Sequence, residues 1–350
     1  MKEKSASRRE FLRKSSALAA GSLAVGTGLP GAVQAQTEND LSRLPREVWI
    51  ATVSQMDVSA ETPEEMTGRI IQIMERSAVY QPDIICLPEV FPFSNVTKKL
   101  KLPDKVAFSK NVIEQFSAYA RENRCYVICP VYTTENGNVF NSSVVIDRFG
   151  KQLGSYHKIH PTEGELAAGL SPGPLKPPVF QADFGTIGVQ ICFDLLWNDG
   201  WNALQKQGAE MVFFPAAYAG GIALSTKAWE NKYVVVSSTR KNTSKICYIS
   251  GETVAKTGSW DKNLICAPVN LEKVFLHTWP AVLKFESIRQ KYGKKIKITN
   301  YDEEEWSIIE SRSPEIKIKD VLKEFDLKNH EQHTHDAETA QISARKNMQR

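Results

Sequence analysis

The sequence lacks a hydrophobic run long enough to cross a membrane and lacks a pair of cysteines at metal-binding spacing. Its most apolar small-residue segment, residues 17–26, is ALAAGSLAVG, well short of the roughly 20 residues that a spanning helix requires. None of the six cysteines forms the C-x-x-C spacing of common structural zinc sites. The sequence therefore argues against a polytopic membrane protein and against a small zinc-stabilised domain.

A net positive charge is also missing once the N-terminal segment is set aside. The chain has 44 basic and 40 acidic residues, and residues 1–35 contain six basic and two acidic ones, which leaves 38 of each. The basic residues that remain are scattered and form no stripe. This balance gives no support to nucleic-acid binding, which depends on a basic surface.

The N-terminal segment has the features of an export signal. Residues 7–14, SRREFLRK, resemble the twin-arginine signal, and the alanine- and glycine-rich run follows them. Val33, Gln34 and Ala35 offer compact residues for cleavage. We expect residues 1–35 to be removed and the mature protein to be periplasmic or secreted. The alternative is a retained amphipathic anchor.

An oxidising compartment would allow disulfides. However, most of the cysteines lie in apolar, strand-like runs, which predicts core thiols. A bridge through Cys125 or Cys247 remains open at this stage.

Apolar patterns along the chain alternate between strand and helix from residue 48 onward. The predicted strands are Val48–Val53, Ile84–Leu87, Tyr126–Tyr132, Phe140–Asp147, Ile187–Ile191, Met211–Phe214 and Tyr233–Ser237, and the predicted helices are Pro63–Tyr80, Val112–Asn123, Asn202–Gln207 and Val282–Tyr292. This alternation predicts an α/β sandwich with helices outside a sheet core.

Cys192 follows one predicted strand and precedes a polar turn rich in Asp, Asn and Gly. Backbone N–H groups of such a turn can point at an atom bonded to the sulfur, as acyl transfer requires. The alternative is a buried structural thiol, which is a common state of free cysteine.

Two further strand ends carry charged residues. Glu89 follows an apolar strand and is itself followed by aromatic and proline residues; burial disfavours a charged carboxylate, so Glu89 is a candidate proton acceptor. Lys158 can supply a fixed positive charge to an oxyanion. Taken singly, the glutamate can be an ordinary cap and the lysine a solvated surface charge.

The three motifs together resemble the nitrilase, or carbon-nitrogen hydrolase, superfamily. Its Glu-Lys-Cys triad matches Glu89 in LPEVF, Lys158 in YHKIHPTEGE and Cys192 in GVQICFD, in the same chain order. The resemblance extends over about residues 48–271. It implies a four-layer αββα sandwich, and a homodimer or larger homo-oligomer paired through helices near the cysteine. We predict a signal at 1–35, a hydrolase domain at 46–290, and a C-terminal extension at 291–350 that wraps a neighbouring subunit or is solvated.

The resemblance also implies a mechanism without metal or organic cofactor. Glu89 would act as general base on Cys192, and Lys158 with the backbone N–H of Phe193 would stabilise the oxyanion. Glu165 matches a second glutamate of the family that orients the lysine or the substrate, and Glu163 is the alternative in register.

The residues after the cysteine bear on the substrate class. Phe193-Asp194 after the cysteine favours amide or N-carbamoyl hydrolysis over nitrile hydrolysis, and N-acyl transfer or a non-catalytic binding role are further alternatives. Aromatic residues flanking the motifs are candidates either for the pocket wall or for the core: Phe91, Phe93, Trp197 and Tyr218. Arg240 and Lys241 follow a predicted strand, as a capping arginine and a solvated lysine or as groups that meet an anionic substrate.

The C-terminal residues are polar and charge-rich from Asp320 onward, which favours a solvated arm or one that contacts a neighbouring subunit. His330, His333 and His335 lie close together in sequence. A transition-metal site is the alternative interpretation of these histidines, although nothing nearby completes one.

Overall fold

The computed structural model describes residue 44 and residues 46–348. The predicted export signal at 1–35 lies outside these residues. The strands are β1 (Glu47–Val53), β2 (Ile84–Cys86), β3 (Tyr126–Glu135), β4 (Asn138–Ile146), β5 (Gln152–His157), β6 (Phe180–Ala182), β7 (Gly185–Val189), β8 (Met211–Ala216), β9 (Val234–Thr239), β10 (Lys245–Cys247), β11 (Thr253–Lys256), β12 (Leu264–Asn270), β13 (Lys273–His277), β14 (Ile296–Tyr301) and β15 (Trp306–Ser311).

The helices follow the same chain order. They are α1 (Pro63–Glu75), α2 (Leu102–Asn123), α3 (Glu163–Ala167), α4 (Asp199–Lys206), α5 (Gly221–Asn231), α6 (Thr278–Tyr292), α7 (Ile318–Glu324) and α8 (His330–Met348). None of the described helices is both long and apolar enough to cross a lipid bilayer.

Two six-stranded sheets form the centre of the molecule. Their strand orders are β12-β1-β2-β3-β4-β5 and β11-β10-β9-β8-β7-β6. Strands β1, β2 and β3 run parallel, as do β7, β8 and β9, while the outer strands pair antiparallel. Because the carboxyl ends of parallel strands lie at one edge of a sheet, residues that follow β2 and β7 are well placed for a site.

The side chains of β2 show how the layers pack. Ile84 and Cys86 belong to the core shared by the two sheets, whereas Ile85 packs on the other face with residues of α1 and α2 such as Ile70 and Phe116. This alternation with period two, combined with apolar residues on one face of each helix, buries both faces of the sheet. The predicted α/β sandwich with helices outside the sheets is confirmed.

Buried hydroxyl groups join the two sheets at their centre. The Thr52 hydroxyl donates a hydrogen bond to the Ser237 carbonyl at 2.6 Å, and the Ser238 hydroxyl donates to the Val53 carbonyl at 2.6 Å. These bonds link β1 of the first sheet to β9 of the second and satisfy groups that water cannot reach.

Several elements differ in extent from their predictions. The strand before Cys192 ends at Val189, because the chain turns into a 3₁₀ helix, Cys192–Leu196, just beyond it. Helix α2 begins at Leu102, where Pro103 occupies the first turn, so it starts earlier than the predicted Val112.

The C-terminal part contains a third sheet of order β13-β15-β14. Its own small core includes Leu276, Phe285, Ile309 and Val321, which lie on β13, α6, β15 and α7. The predicted boundary at residue 290 falls within α6, and the acidic stretch from Asp302 contributes the central strand β15. The polar end of the chain is the helix α8, which has no buried residue.

Candidate active site

The fold brings three residues from three separate strand ends together. Glu89 follows β2 and Lys158 follows β5 of the first sheet, while Cys192 follows β7 of the second. The Lys158 ammonium donates a hydrogen bond to Glu89 Oε1 at 3.1 Å. Relative exposures are 2% for Glu89, 1% for Lys158 and 8% for Cys192. The structure thus brings together the carboxylate, the ammonium and the thiol that the resemblance singled out.

The backbone is in an unusual conformation at two of these strand ends. Val90, which follows Glu89, has φ of +40°, and Cys192 itself has φ of +48°. Left-handed conformations of non-glycine residues cost on the order of 1–3 kcal/mol and are found where surrounding structure holds them in place. At Gly188 on β7 an added Cβ would lie 2.6 Å from Leu204 of α4, so glycine lets this helix pack close to the strand that leads to Cys192.

Lys158 is held by two carboxylates. Besides its bond to Glu89, its ammonium donates to Glu165 Oε2 at 2.7 Å. Burial disfavours the ammonium, but the charges of Glu89 and Glu165 outweigh it, and the pKa of Lys158 is raised. Lys158 is therefore a fixed cation.

The sequence left open whether Glu165 or Glu163 contacts Lys158. The structure places Glu165 there. It lies in α3, where Thr162 and Glu165 form a reciprocal capping box that fixes the helix start. Burial opposes ionisation of Glu165, yet the nearby Lys158 lowers its pKa overall. Glu163 is exposed and forms no ion pair with Lys158.

Asn141 is a site residue that sequence reasoning missed. Its side-chain amide nitrogen donates to Glu89 Oε1 at 2.9 Å and to Glu165 Oε1 at 2.8 Å. One buried amide thus fixes both carboxylates. The only sequence signal was its place in NSSVV, a segment that reads as an ordinary strand.

The thiol of Cys192 lies in an environment that keeps it protonated. Burial raises its pKa to about 12, the negative charge and hydrogen bond of Glu89 add to this effect, and the positive charge of Lys158 opposes it. Reaction at neutral pH therefore requires a base in contact with the thiol, and Glu89 is that contact.

Comparison with known proteins decides the family. The model of the carbon-nitrogen hydrolase family matches residues 50–275. This chain belongs to the carbon-nitrogen hydrolase family. The matched segment contains all three strand-end residues as well as Asn141.

Two curated relatives show distant similarity to this chain. A deaminated glutathione amidase of Synechocystis sp. is 28% identical over 177 residues, which cover 44% of this chain and 64% of that protein. An N-carbamoylputrescine amidase of Arabidopsis thaliana is 38% identical over 96 residues, 26% of this chain and 32% of that one. The chain thus matches less than two thirds of the length of these relatives.

Among solved structures, an amidase from Nesterenkonia sp. superimposes with a TM-score of 0.57 at 19% identity, covering 65% of this chain and 92% of that one. A variant of the amidase from Nesterenkonia sp. AN1, solved in complex with butyramide, gives 0.57 at 20% identity, with coverage of 65% and 93%. These similarities agree with the α/β fold of the hydrolase.

The turn after Cys192 is organised by Asp194. Its Oδ2 accepts hydrogen bonds from the Ile191 N–H at 2.8 Å and from the Tyr156 hydroxyl at 2.7 Å. Phe193 is the second residue of the 3₁₀ helix, and the first N–H groups of a helix have no partner within it. The Phe193 N–H, next in sequence to Cys192, therefore needs a partner from outside this helix.

His160 is a second residue missed from sequence. Its Nδ1 lies 3.0 Å from Asp194 Oδ1, and its ring stacks on that of Trp197 at a centroid distance of 4.1 Å. The hydrogen bond to Asp194 raises the pKa of His160 against the effect of burial. His160 thereby links Asp194 to Trp197.

The aromatic candidates for the pocket wall differ in exposure, and one of them belongs to the hydrophobic core. Trp197 and Tyr218 are 38% and 37% exposed, and burial together with the nearby Cys192 raises the pKa of Tyr218. Phe93 packs against Tyr132, with ring centroids 5.5 Å apart. Phe91 is fully buried against Phe116 and belongs to the core.

Arg240 reaches the candidate site and does not simply cap its strand. Its Nη2 donates to Glu89 Oε2 at 3.3 Å, and its Nη1 donates to the Ser94 hydroxyl at 3.2 Å. Glu89 is thus in contact with two cations, Lys158 and Arg240. Lys241 is exposed, as a solvated lysine would be.

The cysteines and C-terminal histidines lie elsewhere. All six cysteines are free thiols. His330 packs on Trp306 at a centroid distance of 4.8 Å, and His333 stacks on His277 at 4.9 Å. No group of three or more His, Cys, Asp or Glu side chains in residues 46–348 is arranged to hold a metal ion.

Proposed function

We propose that this protein is a hydrolase that cleaves a non-peptide C–N bond of a small linear amide or N-carbamoyl compound through a cysteine thioester. The observation that supports this most is the buried Cys192 thiol beside a Glu89 carboxylate that is itself bonded to Lys158. This is an activated nucleophile with its base and a fixed cation in one buried place.

In the first half of the reaction Glu89 takes the proton of Cys192, and the sulfur attacks the carbonyl carbon of the substrate. The oxygen becomes an oxyanion, which Lys158 and the Phe193 N–H stabilise. Glu89 then gives its proton to the nitrogen, the C–N bond breaks, ammonia leaves, and a thioester on Cys192 remains.

In the second half, Glu89 removes a proton from water, which attacks the thioester carbonyl. A second tetrahedral intermediate forms with its oxyanion at the same donors. The C–S bond breaks, Glu89 returns the proton to sulfur, and the acid is released. Every proton is accounted for by one carboxylate, so the steps need no metal or organic cofactor.

The test is ammonia release from a panel of primary amides, N-carbamoyl amino acids and nitriles, with Cys192→Ala as the blank. We expect release from amides or carbamoyl compounds that is absent in the blank. Release from nitriles alone would replace this proposal with a nitrilase. Absence of release from every class would refute hydrolysis of these substrates.

We also propose that the protein is exported through the twin-arginine route, which rests on SRREFLRK at residues 7–14. Replacing Arg8 and Arg9 by lysine keeps the charge of the segment and removes the arginine pair. We expect the double variant to stay in the cytoplasm, measured by cell fractionation and immunoblotting. Unchanged export would rule out this route.

A further inference from the structure

A cleft of about 320 Å³ lies between the central sandwich and the C-terminal part of the molecule. Its walls come from the ends of α4 and α5 and from β13, and the first turn of α8 closes one side. The volume is near the lower end of the roughly 300–1,000 Å³ of small-molecule sites. None of the triad residues lines it, so it is separate from the strand-end site. The lining residues that matter below are Gln205, Glu210, Lys232, Lys273, Phe275 and His330.

The Lys232 ammonium lies among aromatic rings on one wall of the cleft. It is 4.1 Å from the ring centroid of Phe275, 3.9 Å from that of Trp229 and 5.6 Å from that of Trp306. It donates one hydrogen bond, to the Trp229 carbonyl. No described residue forms an ion pair with it. Because an ammonium has three N–H donors and rings attract it only modestly, an anion would be a stronger partner.

Lys273 supplies a second cation from the same face of β13 as Phe275. The two residues are two positions apart on the strand, so their side chains leave the same face of the sheet. The Lys273 ammonium donates to the Asn270 carbonyl at 2.7 Å and likewise forms no ion pair in residues 46–348. Since Lys232 contacts the Phe275 ring and lysine side chains are long and flexible, both ammonium groups can reach one anion in a cleft of this size.

Burial disfavours the charged form of both lysines. It lowers the pKa of Lys232 to about 8 and that of Lys273 to about 7. The charged groups that act on the two lysines do not reverse this effect: Glu230 on the first, and Glu310, Glu210 and Arg46 on the second. A bound anion would favour the charged forms.

The two carboxylates that line the cleft are bonded to other groups. Glu210 accepts hydrogen bonds from Arg46 Nη2 at 2.8 and 2.9 Å, one to each carboxylate oxygen. Glu331 is exposed and accepts a hydrogen bond from the Gln205 amide at 3.1 Å. Neither carboxylate therefore neutralises the lysines by direct contact.

His330 belongs to α8 and packs against the same aromatic rings. Its ring centroid is 4.8 Å from that of Trp306 and 6.0 Å from that of Phe275. Burial, followed by the positive charges of Lys232 and His333, lowers the pKa of His330 to about 4, so the ring is neutral near pH 7. A neutral imidazole still carries one N–H that can donate to an anion. An anion at the lysines would thus also adjoin the first turn of α8.

From this arrangement we propose that the cleft binds a dianionic phosphate group, either free phosphate or the phosphate of a small monoester, between Lys232 and Lys273. A dianion matches two ammonium groups in charge, whereas a single carboxylate leaves one of them without a counterion. The bound anion also holds the first turn of α8 against the sandwich. The proposal is independent of the proposed hydrolysis, because the cleft shares no residue with the triad.

The first experiment counts the protons that the wild type takes up when sulfate binds at pH 8. Sulfate is a tetrahedral dianion that does not titrate near this pH, so the protons belong to the protein. Calorimetric titrations in buffers of different ionisation enthalpy give their number. We expect about one proton, since Lys273 is largely neutral and Lys232 partly neutral at this pH. Absence of saturable binding, or binding without proton uptake, would overturn the proposal.

The second experiment repeats the titration with Lys232→Met and Lys273→Met, which remove one cation each and keep an apolar side chain. Lys294→Met is the matched control, because Lys294 is an exposed lysine between α6 and β14. We expect each cleft variant to weaken sulfate binding by about tenfold or more, and the control to bind as the wild type does. Binding that is unchanged in both cleft variants contradicts the proposal. Circular dichroism checks folding, and the proton count on the wild type needs no variant.

Two further measurements identify the ligand and test the role of α8. Tighter binding of glycerol 3-phosphate than of inorganic phosphate assigns the cleft to monoesters, and equal or tighter binding of inorganic phosphate assigns it to the free anion. Binding of glycerol as tight as that of glycerol 3-phosphate would refute recognition of charge. Sulfate should slow deuterium uptake by the first turn of α8, and sodium chloride of equal ionic strength should not. Uptake that sulfate leaves unchanged would refute the contact with α8.

Discussion

Cys192→Ala is expected to lower kcat/KM for the amide that the wild type hydrolyses by about 10⁴-fold or more, since loss of a nucleophile leaves only binding and oxyanion stabilisation. The matched control is Cys266→Ala, which removes a half-buried free thiol from β12. That variant should keep wild-type turnover. Initial-rate measurements of ammonia release compare the two.

Intact-protein mass spectrometry with a slowly hydrolysed substrate gives a second measurement. The wild type should gain the mass of the acyl group, and Cys192→Ala should not. An acyl adduct that survives in Cys192→Ala, or full turnover by that variant, would place the nucleophile at another residue.

Glu89→Gln is expected to lower kcat by about 10²- to 10⁴-fold, the range that removal of a general acid–base group produces. Glutamine keeps the size of the side chain and an oxygen that can accept from Asn141 and Lys158. The control is Glu163→Gln on α3, where an exposed carboxylate is neutralised. Circular dichroism establishes that both variants are folded.

The Glu89→Gln variant should also change the pKa of the Cys192 thiol in a defined direction. Glu89 raises the pKa of Cys192 through its charge and its hydrogen bond, so its removal should lower that pKa from about 12. The pH at which iodoacetamide alkylation reaches half its maximal rate should therefore move downward in Glu89→Gln. A midpoint that does not move would mean that Glu89 does not act on the sulfur.

The alternation of apolar patterns predicts the α/β fold class, and the resemblance to the carbon-nitrogen hydrolases implies that Glu89, Lys158 and Cys192 come together. Each follows a strand, and strand ends are positions that sequence patterns indicate well. The resemblance selects Glu165 with Glu163 as the alternative, and the structure places Glu165 against Lys158 through the capping box with Thr162.

The contacts that sequence could not predict depend on pairing between distant segments. Tyr132 and Asn141 are opposite one another in the β3–β4 register, and Arg240 reaches Glu89 across 151 positions of sequence. No local pattern contains such information. The acidic stretch from Asp302 was likewise uninformative, because Ile309 of β15 gains a core only from α6 and the neighbouring strands, and Ile308 only from the large central core.

The hydrogen bonds from Thr52 and Ser238 across the two sheets have a consequence for the precision of catalysis. Apolar packing opposes separation of the two sheets but discriminates weakly between positions that differ by a small lateral shift of one sheet over the other. A hydrogen bond of 2.6 Å from a fixed hydroxyl tolerates little of this shift. Cys192 belongs to one layer, and Glu89 and Lys158 to the other. The alignment of nucleophile with base thus depends in part on fully buried hydroxyl groups at the centre of the sandwich.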